Sequence, residues 1–223
     1  MTTVGLIGSG HIGGTVARLA VAAGYQVVLS NSRGPQTLAE LATELGPLAS
    51  AGTTAAAAAA DLVVVAIPVK AYPDLAATTA LTGKIVMDTG NYAPERRDGQ
   101  IAELDGGLTS SEWLQRLLPG ATVVKVFNNI YSRHLLNLSR PADAPDRSFL
   151  PIAGDDGQAK EKVTAFLDAI GYGAVDAGSL AASWRQQPGT PVYGPPYGSF
   201  DNEKGEPADA AVITAALAAA TGR

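Results

Sequence analysis

Short runs of branched apolar residues alternate, along the first half of the chain, with stretches in which apolar residues recur every three or four positions. A continuous apolar run is typical of a strand covered on both faces, and the longer period is typical of a helix with one buried face. The runs predict strands over 4–7, 26–29, 48–50, 62–67, 84–88 and 122–127. Helices are predicted over 12–23, 37–46, 55–60 and 71–81, and a further helix ends at Leu118 with Ser110 or Ser111 as its N-cap. Strands that alternate with helices in this way indicate right-handed crossovers and a parallel sheet.

The alternation becomes less regular after Arg140. The remaining pattern predicts a strand over 148–153, a helix over 158–170, a short strand over 174–176 and a terminal helix over 207–220. Between them, residues 188–207 hold five prolines and four glycines, which predicts a mobile or functional loop such as a lid or a subunit contact. We therefore divide the chain into an α/β domain over 1–140 and a small C-terminal α+β lobe over 141–223.

A glycine-rich turn joins the first predicted strand to the first predicted helix. It reads Gly8-Ser9-Gly10-His11-Ile12-Gly13, a G-x-G-x-x-G pattern. In a dinucleotide site the first glycine permits the tight turn, the second lets a pyrophosphate approach the backbone, and the third lets the helix pack closely. The free N–H groups and positive dipole end of the helix also favour phosphate. All six residues are therefore candidate cofactor contacts in a Rossmann-type, doubly wound parallel sheet.

The second predicted strand ends in Ser30-Asn31-Ser32-Arg33, and no acidic residue occurs between Gly24 and Glu40. A site specific for NAD usually carries Asp or Glu here to bind the ribose 2′-hydroxyl. Hydroxyls and a guanidinium would instead bind a 2′-phosphate, which a carboxylate would repel. We therefore predict NADP(H) as the cofactor, with Ser30, Asn31, Ser32 and Arg33 at the phosphate.

Composition and charge exclude several classes of binding partner. The net charge of −5 and the lack of a basic stripe argue against nucleic acid. There is no cysteine, hence no thiolate metal site, and two histidines are too few for a zinc cluster, so no metal is predicted. No leader peptide and no long apolar stretch is apparent, which predicts a cytoplasmic protein without a membrane partner.

Further candidates follow the ends of the later strands, where ligands of parallel sheets bind. Ile67 and Pro68 form the turn after the fourth strand, and Asn91 lies after the fifth. Other residues are open to two interpretations, ligand contact or an ordinary turn or surface role. They are Tyr92, Arg96, Arg97, Asn128, Asn129 and His134. Lys125 interrupts an apolar strand, where it would face the cleft or reach water.

Several segments together resemble the F420-dependent NADP reductase family. They are VGLIGSGHIGG, SNSRGP, AIPVKAY, VMDTGNY, VVKVFNNI, PIAGDD and VDAGSLAAS. The resemblance implies a homodimer that transfers a hydride between NADPH and the deazaflavin coenzyme F420. It implies NADP contacts at the glycine turn and at Ser32 and Arg33, a backbone turn beside the cofactor at Ile67-Pro68, and a substrate-cleft motif at residues 176–178. Because the cofactors carry the chemistry, no catalytic residue is assigned.

Two alternatives stay open. The protein could be an NADPH-dependent reductase of a different small-molecule acceptor, such as a flavin, quinone, imine or carbonyl. It could also be a sensor that binds NADP(H) without turnover. Short-chain dehydrogenases fit less well because they need Tyr-x-x-x-Lys, and no tyrosine here is followed by lysine at that spacing.

Overall fold

Six parallel strands form the central sheet in the computed structural model, which describes residues 1–222. They are β1 (Thr3–Ile7), β2 (Gln26–Ser30), β3 (Ala49–Ala51), β4 (Leu62–Val65), β5 (Ile85–Asp88) and β6 (Thr122–Lys125). Their order is β3-β2-β1-β4-β5-β6, so the direction of chain progress reverses between β1 and β4. Ligands of such sheets bind at the carboxyl ends of the strands at this reversal. The predicted Rossmann-type fold is confirmed.

Helices connect the strands and cover both faces of the sheet. They are α1 (His11–Ala22), α2 (Ala39–Leu45), α3 (Thr54–Ala58), α4 (Tyr72–Thr78), α5 (Ala102–Asp105), α6 (Ser110–Leu117), α7 (Ser132–Asn137), α8 (Gly157–Ala169) and α9 (Ala210–Ala218). Short 3-10 segments lie at Pro35–Leu38, Val69–Ala71, Leu180–Gln186 and Pro195–Tyr197, and a single π-helical turn lies at Pro94–Asp98.

The core has two apolar layers, one on each face of the sheet. Strand β4 shows why, since its four residues are all buried and successive side chains point to opposite faces. Leu62 and Val64 join the layer beneath α1, α7 and α8, whereas Val63 and Val65 join the layer beneath α3, α4 and α6. Burial on both faces explains the continuous apolar run in the sequence.

A second, two-stranded parallel sheet consists of β7 (Phe149–Ile152) and β8 (Gly173–Asp176). An antiparallel bridge between Lys125 and Ala153 attaches it to the end of β6. The ring of Phe166 on α8 packs edge-on against Tyr25, with centroids 5.4 Å apart, and its side chain belongs to the first apolar layer. The C-terminal residues therefore share a core with the main sheet.

Several predicted boundaries were wrong in detail. The predicted strands 62–67 and 122–127 end two residues early, at Val65 and Lys125, because their register partners Ile7 and Asp88 are the last residues of β1 and β5. The predicted N-cap of α6, Ser110 or Ser111, is instead Thr109. Its hydroxyl accepts a hydrogen bond from the Glu112 N–H, and the Glu112 carboxylate accepts one from the Thr109 N–H, which forms a capping box.

Candidate functional site

The glycine turn at the carboxyl end of β1 contains two glycines that packing requires and one that faces open space. Gly8 has φ +100°, and a Cβ atom on it would lie 2.3 Å from the carbonyl oxygen of Ala66. A Cβ atom on Gly13 would lie 1.9 Å from the carbonyl oxygen of Gly8, so only glycine lets α1 pack this closely. A Cβ atom on Gly10 would meet no such atom within 4 Å. The turn therefore leaves room at Gly10 where a phosphate could approach the backbone.

The N-terminus of α1 opens onto that space. Gly10 is its N-cap and supplies no side-chain hydrogen bond, while Gly10 and His11 are exposed and Ile12 is half-buried. A helix N-terminus without a capping side chain presents free N–H groups and a partial positive charge, which suit a pyrophosphate. The predicted cofactor contacts of the turn thus lie together.

The two serines at this end of the sheet hold the turn in place. The Ser9 hydroxyl donates to the carbonyl oxygen of Ser30 at 3.0 Å, and the Gly8 N–H donates to the same oxygen at 3.0 Å. Ser30 is fully buried, and its hydroxyl donates to the carbonyl oxygen of Leu6 at 2.8 Å. The side chain of Ser30 is therefore directed into the sheet and does not share a surface with Ser32 and Arg33.

The loop after β2 is preformed by hydrogen bonds. The Asn31 carboxamide accepts from the Arg33 N–H and donates to the Thr37 hydroxyl, both at 2.9 Å, and Thr37 donates to the carbonyl oxygen of Gly34 at 2.8 Å. Ser32 and Arg33 are exposed. Within residues 1–222 the Ser32 hydroxyl and the Arg33 guanidinium have no intramolecular partner. These two side chains are available to an external anion.

The turn that contains Ile67 and Pro68 begins beside the glycine turn. The Ala66 N–H donates to the carbonyl oxygen of Ile7 at 2.8 Å, and a Cβ atom on Gly8 would lie 2.9 Å from Cγ2 of Ile67. Both Ile67 and Pro68 are half-buried, so each keeps an accessible surface at the reversal between β1 and β4.

Asn91 and Asn128 form a reciprocal pair across the ends of β5 and β6. Asn91 Nδ2 donates to the Asn128 carbonyl oxygen at 2.8 Å, and Asn128 Nδ2 donates to Asn91 Oδ1 at 2.9 Å. Asn91 is half-buried, but Asn128 and Asn129 are buried. The preceding Phe127 has φ +65°, a conformation that is rare for a bulky residue and concentrates at functional sites. Of the three asparagines, Asn91 is the one left accessible.

Asn128 and Asn129 instead attach the C-terminal segment to the sheet. Asn128 Nδ2 also donates to the carbonyl oxygen of Gln186 at 2.6 Å, and Asn129 Nδ2 donates to that of Val192 at 3.0 Å. His134 is likewise buried, and its Nε2 lies 2.6 Å from the carbonyl oxygen of Asn202. The segment 188–207 is therefore held at several points and forms a fixed wall beside the strand ends.

Lys125 reaches neither the cleft nor water, so both sequence-based interpretations were wrong. It is fully buried, and Nζ lies 3.0 Å from Asp88 Oδ2 and 3.1 Å from the Ser110 hydroxyl. Nζ also donates to the carbonyl oxygen of Gly90. Burial lowers the pKa of Lys125, and the Asp88 carboxylate partly restores it. Sequence inspection missed this pair, although each residue ends its strand at the same register position.

The remaining candidates lie apart from the glycine turn. The Tyr92 hydroxyl donates to Asp105 at 2.9 Å and accepts from the Ile101 N–H at 2.9 Å. Asp176 pairs with Lys160 at 2.7 Å and accepts from the Gly178 N–H at 2.8 Å. In residues 1–222 no cluster of three metal-ligating side chains occurs, and no helix is long and apolar enough to span a membrane.

Comparison with known proteins agrees with this geometry. Residues 3–92 match the family model described as NADP oxidoreductase coenzyme F420-dependent. The metalloreductase STEAP3 of Rattus norvegicus is 32% identical over 181 residues, which are 81% of this chain and 34% of that protein. The chain thus spans about a third of the length of the curated relatives it matches.

Two solved structures extend the likeness over most of the fold. A hypothetical protein from Sinorhizobium meliloti has a TM-score of 0.76 and 32% identity, covering 86% of this chain and 93% of that one. A candidate F420-dependent NADP reductase from Arthrobacter sp. FB24 has a TM-score of 0.65 and 25% identity, covering 82% of this chain and 87% of that one. Over residues 3–92, which include the glycine turn, the chain thus matches the family of coenzyme F420-dependent NADP oxidoreductases.

Proposed function

We propose that this protein transfers a hydride between NADP(H) and the deazaflavin coenzyme F420. The observation that carries the proposal is the loop after β2. It presents an unpaired hydroxyl and an unpaired guanidinium, Ser32 and Arg33, and contains no carboxylate. This charge pattern favours a phosphorylated ribose over an unphosphorylated one.

Each part of the cofactor has candidate contacts at the carboxyl edge of the sheet. The pyrophosphate would lie on residues 8–13, with the N–H groups of the first turn of α1 as donors. The 2′-phosphate would lie at Ser32 and Arg33, supported by Asn31, while Ser30 fixes the strand end beneath them. The nicotinamide would then lie between Ile67-Pro68 and Asn91.

The reaction makes modest demands on the protein. In such a transfer the nicotinamide supplies a hydride, the acceptor gains two electrons, and a proton enters from solvent. The side chains therefore need to align two rings and exclude water rather than provide an acid or base. The half-buried faces of Ile67, Pro68 and Asn91 suit that role.

In a second candidate function, the protein uses NADPH to reduce an acceptor other than F420. The relative from Rattus norvegicus is named a metalloreductase, and it is similar to this chain over most of the chain's length. Because that relative is named a reductase, the likeness favours an enzyme that reduces an acceptor other than F420 over a sensor without turnover. We further propose a cytoplasmic homodimer in which residues 1–140 bind the cofactor and residues 141–223 carry the acceptor and dimer contacts.

Stopped-flow absorbance separates these functions. The purified protein is mixed with NADPH and F420, and the decay of the F420 band is followed, with NADH as the matched control. Decay with NADPH and much slower decay with NADH would support the proposal. Oxidation of NADPH by FMN, riboflavin, a quinone or an imine alone would favour the second candidate. Tight NADPH binding with no oxidation by any acceptor would indicate a sensor.

A further inference from the structure

A cavity of about 700 Å³ adjoins Asn91. One wall is the segment Asn91–Arg97, and the other is formed by Pro188 and Tyr193 of the long C-terminal segment. A volume of this size is typical of small-molecule sites. Because Asn91 lies beside the proposed nicotinamide position, the cavity starts where a hydride acceptor would have to lie.

The first wall is rigid although it lies in a loop. Its π-helical turn, Pro94–Asp98, is held by the Asp98 carboxylate, which accepts from the backbone N–H of Ala93 at 2.9 Å and of Lys70 at 3.3 Å. Arg97 pairs with that carboxylate at 3.3 Å and donates to the carbonyl oxygen of Asn91 at 2.7 Å.

The second wall is equally fixed. The Gly194 N–H donates to the carbonyl oxygen of Asn129 at 2.9 Å, and Asn129 Nδ2 holds the neighbouring Val192 carbonyl at 3.0 Å. The Tyr193 hydroxyl lies 3.4 Å from Asn91 Nδ2. The proline-rich segment thus brings a phenol to the mouth of the cavity at Asn91.

The charge inside the cavity is unevenly distributed. Burial raises the pKa of the Asp98 carboxyl, but the hydrogen bond from Arg97 and those from the Ala93 and Lys70 N–H groups lower it overall. The charge of Arg97 is therefore balanced by an ionised neighbour. Arg96 lines the same cavity and has no partner for its guanidinium within residues 1–222.

Tyr193 lies within electrostatic reach of both arginines of the cavity. Burial raises the pKa of its phenol, whereas the guanidinium groups of Arg96 and Arg97 lower it. Glu95 also lines the cavity. Since Arg97 is paired with Asp98, Arg96 is the cation near Tyr193 that has no ion-pair partner within residues 1–222.

We infer that this cavity binds the hydride acceptor, and that Arg96 binds an anionic group, a phosphate or a carboxylate, carried by that acceptor. The inference rests on the proposed function and assigns its acceptor a chemical class. The reacting ring would lie between Asn91 and Tyr193, and the anionic group would extend along the wall to Arg96. The guanidinium suits either anion because it can donate two parallel hydrogen bonds.

The test compares Arg96→Gln with a matched control, Arg116→Gln. Arg116 is exposed near the end of α6, just before β6, and therefore lies at the opposite edge of the sheet. Calorimetric titration of the NADP⁺-loaded protein measures the Kd of F420, of a deazaflavin that keeps the phosphate but lacks the glutamates, and of one that lacks both. FMN and riboflavin form a second pair that differs in phosphate alone.

Arg96→Gln should raise the Kd of the anionic acceptors by roughly 10- to 100-fold and leave that of the uncharged ring within about twofold. A loss seen with the phosphate-only probe identifies phosphate as the group, and a loss confined to F420 identifies carboxylate. The KM of NADPH should not change in either variant.

Two results overturn the inference in different ways. If wild-type protein binds F420 or FMN and Arg96→Gln weakens them no more than Arg116→Gln, the cavity does not hold the anion, and the proposed function stands. If wild-type protein binds neither acceptor, the proposed function fails with it.

Discussion

Lys125 Nζ lies 3.0 Å from Asp88 Oδ2, and the two side chains are 1% and 0% exposed. They are register partners on β5 and β6, so the ion pair joins the carboxyl ends of two neighbouring strands. Asp88 also accepts from the Ser111 hydroxyl at 2.6 Å and from the Gly90 N–H at 2.9 Å, while Lys125 donates to the Gly90 carbonyl. Both backbone groups of Gly90 are thus held one residue before Asn91.

Removing one member of this pair should strongly destabilise the protein. Lys125→Met leaves a buried carboxylate without its counter-charge, which costs about 3–5 kcal/mol. Lys160→Met is the control, since Lys160 pairs with the exposed Asp176 and such a pair contributes about 0–1 kcal/mol. Urea unfolding followed by circular dichroism measures both. Equal losses of stability in the two variants would mean that the buried ion pair contributes no more than the exposed one.

Substitutions in the glycine turn can distinguish a role in packing from a role in ligand binding. Gly13→Ala places a Cβ atom 1.9 Å from the Gly8 carbonyl oxygen, so it should destabilise the fold by about 1–3 kcal/mol. Gly10→Ala meets no such atom within 4 Å and should fold with nearly wild-type stability. Because its methyl group would occupy the space proposed for the pyrophosphate, it should weaken NADPH at least roughly 10-fold.

Thermal unfolding and NADPH titration, run on both variants, check this prediction. A Gly10→Ala protein that is stable and binds NADPH as the wild type does would remove the pyrophosphate from this turn. Gly13→Ala cannot decide that question, since a loss of binding there would follow from a distorted helix.

The sequence predicted the sheet because local patterns report it. Strand β4 is buried on both faces, which requires an uninterrupted apolar run. Position 13 requires glycine because a Cβ atom there would meet the carbonyl oxygen of Gly8, which is close in sequence. The location of each polar side chain depends on partners that are distant in the sequence, so local patterns do not predict it. Nothing near Lys125 indicates that its counter-charge lies 37 positions away on another strand.

The same reason explains what was missed at the site. Ser30 follows an apolar strand and looks like a surface hydroxyl, but its partner is the carbonyl oxygen of Leu6 on β1. The segment 188–207 has no helical or strand period. Its backbone is held in place by side chains of the turn that follows β6. Asn129 does this across 63 positions. Thr109 was a different error, since the Thr-x-x-Glu spacing of a capping box was present in the sequence.

Arg33 should determine the preference for the phosphorylated cofactor. Arg33→Ala removes an exposed, unpaired guanidinium, so it should raise the KM of NADPH by roughly 10- to 100-fold and hardly change that of NADH. Arg116→Ala, at the opposite edge of the sheet, should change neither. An unchanged KM for NADPH in Arg33→Ala would remove this residue from the site.

Ser30→Ala should act differently from Arg33→Ala. The Ser30 hydroxyl is buried and donates to the Leu6 carbonyl, so its loss should cost about 0.5–1.5 kcal/mol of stability. The ratio of NADPH to NADH activity should stay at the wild-type value. A selective loss of NADPH activity in this variant would show that the serine does contact the 2′-phosphate.

Buried tyrosines should make the protein sensitive to alkali. Tyr197 is fully buried, and its hydroxyl donates to the Phe149 carbonyl oxygen at 2.8 Å. Burial raises the pKa of this phenol, although the hydrogen bond from Asn129 lowers it slightly. Above pH ~10 the unfolded chain loses the phenolic proton while the folded protein keeps it, so the free energy of unfolding falls by about 1.4 kcal/mol per pH unit for this residue.

Tyr197→Phe removes that dependence and also the hydrogen bond. At pH 7 the variant should be less stable than the wild type by about 1 kcal/mol, since a buried carbonyl loses its donor. Between roughly pH 10.5 and 12 its stability should decline less steeply, by about 1.4 kcal/mol per pH unit, so the two curves converge and cross. Burial also raises the pKa of Tyr172, and Tyr172→Phe should give the same change in slope. Urea unfolding across this pH range gives both slopes, and parallel curves for wild type and variant would show that Tyr197 ionises in the folded protein as readily as in the unfolded chain.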